Sequence, residues 1–227
     1  MKPDAIPVIL SWSGGKDSAL ALHALQRQPE FEVCGLLTSI NDHYGRVSMH
    51  GVRESLLDAQ ADAIGLPLCK VRLSEQPSNE EYEQRMQGML ESVKSRGIRH
   101  VAFGDLFLED IRQYRIAQLQ RVGMQALFPL WQRPTETLAR EFIALGFRAV
   151  LCCVDGTALD EAFAGRLYDD ALLHDLPAGV DPCGENGEFH SFVYDGPVFR
   201  RAIPIRTGER VTREQRFHFC DLSATEA

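Results

Sequence analysis

The stretch VILSWSGGKDSALALHAL, Val8 to Leu25, constrains the fold more than any other part of the chain. A short apolar run, Pro7 to Trp12, enters Ser13-Gly14-Gly15-Lys16-Asp17-Ser18, and apolar residues at helical spacing follow at once (Ala19, Leu20, Leu22, Leu25). The pattern predicts a strand, a glycine turn and a helix N-terminus. In an open parallel sheet, ligands gather beyond the carboxyl ends of the strands, and the first strand-to-helix turn is the usual place. Gly14 and Gly15 let the backbone approach an anion closely and allow positive φ. The first backbone N–H groups and the positive end of the helix dipole then point at that anion. Ser13 and Ser18 add hydroxyl donors, and Lys16 adds a point charge. Asp17 either caps the helix or helps hold Mg²⁺ beside bound phosphates. The turn is neither of two commoner phosphate loops, because it lacks both G-x-x-x-x-G-K-[ST] and G-x-G-x-x-G.

The first half of the chain alternates between strand and helix patterns. Phe31–Ile40, Leu68–Leu73 and His100–Phe103 read as strands. Helices are predicted over Glu54–Ile64, Ser78–Arg96 and Ile111–Val122, each followed by a glycine, where helices often stop. Such alternation predicts a Rossmann-like α/β fold, an open parallel sheet with helices on both faces. Thr135–Leu145 is a further helix with Thr135 as its cap, and Phe147–Val154 is a buried strand. The pattern then changes. Short helical pieces (Glu161–Asp175) lead into a loop rich in Gly, Pro and acids, Gly179–Gly187. Glu188–Tyr194 alternates like a strand, and the rest reads as β with turns at Asp195-Gly196-Pro197 and Thr207-Gly208. The expected organisation is an anion-binding α/β domain over 1–130 and a smaller α+β, substrate-binding or lid portion over 131–227.

Composition narrows the function classes. The chain has 227 residues, 44% of them apolar, which suffices for a real core. No apolar run approaches the roughly 18–20 residues needed to span a bilayer, and no apolar signal segment opens the sequence, so a cytoplasmic location is expected. A formal charge of -8 argues against broad nucleic-acid binding, which rests on neutralising phosphates. Arg200, Arg201, Arg206, Arg210, Arg213 and Arg216 crowd the C-terminal region as a solvated strand face or a docking surface for an acidic partner. The six cysteines form no C-x-x-C pair and have no zinc spacing. Cys34, Cys69, Cys152 and Cys153 read as small buried hydrophobes. Cys183, in the glycine-rich loop, is the one candidate for chemistry.

Ser13-Gly14-Gly15-Lys16-Asp17-Ser18 resembles the signature of the PP-loop (N-type) ATP pyrophosphatases, the adenine nucleotide α-hydrolases. Three further stretches narrow the resemblance. They are Met49-His50-Gly51-Val52 with Gln60–Leu68, Phe103-Gly104-Asp105-Leu106 with Arg112, Arg115 and Phe128–Trp131, and Gly184–Val193 with Asp195-Gly196-Pro197. Together they are similar to the diphthine–ammonia ligase family, whose members amidate diphthine on elongation factor 2. Phe189 and Ser191 stand where the family pattern has Tyr and Thr, and the C-terminal additions of long eukaryotic members are not expected here.

The resemblance implies ATP and Mg²⁺ as cofactors, with ammonia as the nitrogen donor. It implies cleavage between the α- and β-phosphates, with adenylation of an acceptor carboxylate and then amide formation. Ser13, Gly14, Gly15, Lys16, Asp17 and Ser18 would hold the β,γ-phosphates, and Asp17 the metal. Ser39 and its neighbours Leu37–Ile40 would lie against the adenine, and Gly104 beside the nucleotide. His50 is either a surface turn residue or a phosphate contact. Asp105 would orient the acceptor or a metal. Glu185 and Glu188, on a mobile acidic loop with His190, would bind ammonium or take a proton from ammonia as it attacks. The candidate catalytic set is therefore Lys16, Asp105, Glu185 and Glu188. The acceptor is a protein such as an elongation factor, or a small carboxylate, and homo-oligomerisation is compatible with the sequence. Two alternatives stay open: the same chemistry on another acceptor such as a small metabolite or a tRNA base, and a regulatory module that binds ATP without turnover. The missing C-x-x-C pair and the negative charge weigh against tRNA thiolation, and the intact Lys16 and Asp17 weigh against a silent module.

Overall fold

A computed structural model describes residues 5–42, 46–47 and 51–225. Two sheets organise them. The first is built from β1 (Ile6–Ser11), β2 (Phe31–Asn41), β4 (Leu68–Leu73), β5 (His100–Ala102) and β6 (Gln125–Leu127), in the order β4-β2-β1-β5-β6, with every pair parallel. A two-residue strand, β3 (Arg46–Val47), adds antiparallel pairing beside Ile40 and Asn41. The crossovers are α1 (Lys16–Gln26), α2 (Glu54–Ile64), α3 (Asn79–Ser95) and α4 (Glu109–Arg121).

The near-continuous apolar run of β1 follows from burial of both sheet faces. Successive side chains point to opposite faces of a strand. Val8 and Leu10 accordingly join one apolar cluster with α1 and α2, while Ile9 joins Leu90 and Leu119 in a second cluster under α3 and α4. Helix ends obey local chemistry. Ser78 caps α3 by accepting the Glu81 N–H at 3.1 Å, and Gly65 closes α2 at φ 80°.

The C-terminal part carries α5 (Thr135–Ala144), β7 (Arg148–Asp155), α6 (Asp170–Asp175), β8 (Phe189–Asp195), β9 (Ile205–Arg213) and β10 (Phe217–Ala224). Its four strands form an antiparallel sheet ordered β8-β7-β10-β9. The first apolar cluster continues without a break from α1 and α2 into this sheet and α5. Phe142 is fully buried there and stacks on Phe147 at 4.8 Å between centroids. A side chain of this kind contributes about 1.5–3 kcal/mol by burial alone. The shared core holds β8 against the N-terminus of α1, which is what builds the site.

One strand was not anticipated, and three local expectations are corrected. The short strand β6 carries no strong pattern of its own and exists because β5 offers it a partner edge. Thr135 is the first helical residue rather than the cap; Pro134 precedes it, and no side chain caps that end. Thr207-Gly208 lies inside β9, at a register shift opposite Cys220–Leu222. The turn falls instead at Glu214-Gln215, both at positive φ (52° and 53°) without a glycine to mark it. Cys34 and Cys69 are half-buried, whereas Cys152 and Cys153 are buried as expected.

Candidate active site

A cleft of about 240 Å³ opens at the carboxyl ends of β1 and β5. One wall is the Ser13–Ser18 turn, another is Phe103-Gly104-Asp105, and the third comes from far along the chain: Cys183-Gly184-Glu185 and Phe189-His190-Ser191. Three of the stretches singled out in the sequence, around Lys16, Asp105 and Glu185, thus meet in one place.

The turn is held in shape from outside. Gly14 has φ 81°, and a Cβ there would lie 2.7 Å from Leu57 Cδ2, so only glycine fits. Its carbonyl accepts the Val193 N–H at 2.9 Å and the Gln60 Nε2 at 2.9 Å. The Lys16 N–H donates to Ser191 Oγ at 3.1 Å, and the Gly15 N–H donates to Ser13 Oγ at 3.2 Å. Ser18 Oγ turns back to the Gly15 carbonyl at 2.9 Å. Gly104 presses against α1: a Cβ on it would sit 2.9 Å from the carbonyl carbon of Asp17.

Lys16 is 2% exposed. Its Nζ lies 2.8 Å from Asp17 Oδ2 and donates also to the Cys183 carbonyl. Burial works against its charge, but Asp17 and further acids outweigh that and hold its pKa above the ordinary lysine value. It is charged at neutral pH. Asp17 is therefore paired with Lys16, and Asp105 and Asp181 are near enough to oppose its charge.

Glu185 is the titratable acid of the cleft. Its Oε1 accepts the Leu106 N–H at 2.7 Å. Burial pushes its carboxyl up to about 7; the Leu106 bond opposes the rise, and Asp17 and Asp105 add to it. His190 is pushed down to about 4 by burial and then by Lys16, so its imidazole is neutral at pH 7. Asp105 pairs with Arg115, with Nε to Oδ2 at 2.6 Å, and Arg115 also lies over the Phe103 ring at 4.4 Å. Both residues line the cleft.

Other candidates fall elsewhere. Glu188 is buried and does not line the cleft. Its carboxylate accepts the Asp181 N–H, the Asn186 N–H and the Asn186 Nδ2, each at 3.0 Å, and so folds the loop that carries Glu185. Ser39 sits on β2 outside the cleft lining, and His50 lies outside the described residues. Arg112 packs over Trp131 at 4.8 Å and pairs with Glu109. Cys183 is buried, donates to the Thr135 carbonyl, and has its thiol pushed up to about 12 by burial, so it is no nucleophile at neutral pH. The C-terminal arginines divide among separate partners, with Arg201 on Asp62, Arg216 on Asp155 and Arg213 over Phe219.

Among the described residues, no group of three or more His, Cys, Asp or Glu is arranged to hold a metal ion unaided. Asp17, with Asp105 and Glu185 nearby, still gives the cleft an excess of carboxylate. That donor set suits Mg²⁺, which usually takes one or two carboxylates and completes its shell with phosphate oxygens and water.

Residues 6–126 match the diphthamide synthase N-terminal domain, and residues 134–225 match the diphthamide synthase C-terminal domain. The chain belongs to the diphthamide synthase family. It is 30% identical to the diphthine–ammonia ligase of Rattus norvegicus over 172 residues, which cover 68% of this chain and 64% of that protein. The human diphthine–ammonia ligase is 29% identical over 171 residues, with the same shares of each chain. The Schizosaccharomyces pombe diphthine–ammonia ligase is 24% identical over 92% of this chain and 38% of its own length. The family match thus spans less than two thirds of these relatives. Among the described residues, no helix is long and apolar enough to cross a membrane.

Two contributors to the site carried a sequence signal that pointed to no role. Gln60 interrupts the apolar face formed by Leu56, Leu57, Ala61 and Ile64, and a polar residue at a core position is itself a signal. Ser191 lies on a strand whose alternation says which face it shares but not what it meets.

Proposed function

We propose that this chain is an ATP-dependent, amide-forming ligase. It transfers adenylate to an acceptor carboxylate, releases pyrophosphate, and uses ammonia to give an amide and AMP. The observation that carries the reading is the meeting of the Ser13–Ser18 turn and the Glu185 loop in one cleft, though 167 residues separate Lys16 from its Cys183 partner. An anion grip and an acid with a pKa near neutrality are the two parts such a reaction needs.

The Ser13–Ser18 turn, Lys16 and the first N–H groups of α1 would bind the β,γ-phosphates. Preorganised donors of this kind supply the largest share of stabilisation as charge moves to the leaving group. The acceptor oxygen bonds to the α-phosphorus, and the bond to the bridging oxygen breaks. The base would rest in the adjoining apolar cleft lined by Leu37, Leu90 and Phe103, which shares Ser11 and Arg115 with the phosphate cleft. Ser39 remains a candidate for its outer rim, and His50 a candidate phosphate contact. Mg²⁺, when bound with the nucleotide, would be held by Asp17 and would neutralise phosphate charge. Asp105 fixes the Arg115 guanidinium at the cleft wall. Glu185, ionised above its pKa, takes the proton released as ammonia bonds to the acyl carbon and AMP departs. Glu188 acts through the loop.

The relatives carry the name diphthine–ammonia ligase, and a diphthine-like carboxylate on a protein such as an elongation factor is the acceptor we favour. The test follows labelled ATP with purified protein, Mg²⁺ and ammonium, adding a cell extract split into protein and small-molecule fractions. AMP and pyrophosphate with the protein fraction are the expected result. The same products with the small-molecule fraction would move the acceptor to a metabolite. ADP, or no product with either, would remove the ligase reading.

A further inference from the structure

Gln60 lies in α2, outside the cleft, and is fully buried. Its amide makes three hydrogen bonds. Oε1 accepts the Trp12 indole N–H at 2.8 Å, and Nε2 donates to the Gly14 carbonyl at 2.9 Å and to the Val193 carbonyl at 2.6 Å. The partners fix the amide orientation, since an indole N–H needs an acceptor and two carbonyls need donors. Residues from β1, the glycine turn, α2 and β8 therefore meet at one side chain.

The Gly14 carbonyl is the informative partner. It accepts from Gln60 and from the Val193 N–H, so both of its lone pairs are engaged on the side away from the cleft. A peptide unit is planar and trans, so its N–H points opposite to its C=O. Fixing the Gly14 carbonyl thus aims the Gly15 N–H the other way, toward Ser13 Oγ, and both Gly15 and Ser13 line the cleft. The same bonds tie this peptide to β8, whose Ser191 takes the Lys16 N–H. We infer that Gln60 is a positioning residue for nucleotide phosphate: it holds the Gly14–Gly15 peptide so that the Gly15 N–H faces the anion, and it keeps the glycine turn in register with β8. This inference rests on the ATP reading above.

The test compares wild type, Gln60→Glu and Trp12→Phe as full chains, with melting temperature recorded for each. The readouts are KM for ATP, KM for ammonium, kcat, and inhibition by inorganic pyrophosphate, measured from pH 6 to 9. Gln60→Glu keeps the shape but loses a donor, and its buried carboxyl is protonated at low pH and charged at high pH. We expect KM for ATP and the pyrophosphate inhibition constant to rise about tenfold or more at pH 9 and to return toward wild type at pH 6, with KM for ammonium unchanged. Trp12→Phe removes one bond and should raise the same two constants by about threefold without a pH trend. Folded variants with wild-type constants for ATP and pyrophosphate would overturn the inference, as would equal losses in every parameter. If Gln60→Glu fails to fold, unchanged constants in Trp12→Phe would overturn it alone. Wild type without ATP cleavage would instead sink the ligase reading, and the two failures are therefore distinct.

Discussion

Glu185 Oε1 accepts the backbone N–H of Leu106 at 2.7 Å, joining the C-terminal loop to the segment that follows β5. The bond closes the cleft on one side and keeps a carboxyl among other acids. Burial raises that carboxyl to about 7. The folded chain therefore binds this proton more tightly than the unfolded chain does. The associated stability is full below the ordinary glutamate pKa near 4.5 and is lost as pH rises through about 7. Glu185→Gln keeps an acceptor for Leu106 and removes the charge. It should raise the melting temperature at pH 8 relative to wild type, with little difference at pH 4. It should also remove the rise of ammonia-dependent turnover through pH 7. A variant that keeps the wild-type pH profile would show that Glu185 handles no proton in the reaction.

Lys16 contributes the one lysine charge among the residues lining the cleft, paired with Asp17 and 2% exposed. Lys16→Ala should lower pyrophosphate release from ATP about a hundredfold or more, since a preorganised charge at the leaving group is lost. Circular dichroism should remain that of the folded chain. Turnover within a few-fold of wild type would take the glycine turn out of the chemistry.

Glu188 is occupied by three N–H donors from its own loop. Glu188→Gln sets an amide NH₂ against one of those donors, at a cost of about 1–3 kcal/mol for the unsatisfied group. The loop carrying Glu185 should loosen, so adenylation and amide formation should fall by the same factor. Measuring pyrophosphate and amide in parallel decides this. Loss of amide alone would return Glu188 to a direct part in ammonia chemistry.

Gly104 meets the backbone of Asp17, with 2.9 Å left for a Cβ. Gly104→Ala cannot be relieved by a side-chain rotation, because the obstructing atoms are backbone. The β5–α4 connection should shift away from α1, costing about 1–3 kcal/mol of stability. A displacement near 1 Å at the phosphate grip should cost turnover by about a hundredfold. Denaturant melts and ATP cleavage measure the two effects, and wild-type values in both would contradict the close packing.

The main chain of the glycine turn is legible in the sequence alone. The Ser13–Ser18 turn reads as an anion grip because its glycines, hydroxyls and lysine are contiguous, and local chemistry is enough to interpret contiguous residues. The alternation of patterns likewise implied a parallel sheet, because both-face burial of β1 leaves an uninterrupted apolar run. Short elements without a pattern of their own were harder. Gln125–Leu127 is a strand because β5 supplies the pairing edge, and Glu214-Gln215 turn without glycine because β9 and β10 hold their ends together.

The sequence by itself determined the strand–glycine turn–helix unit and the α/β class, and it singled out Lys16, Asp105 and Glu185, which line one cleft. Only the tertiary structure decided that Glu185 faces the cleft while Glu188 folds the loop, and that Gln60 holds the Gly14 carbonyl. The physical reason is distance along the chain. Two acids three residues apart look alike in a sequence, and their roles separate only when Leu106, 79 residues from Glu185, meets one of them while the other turns into its own loop.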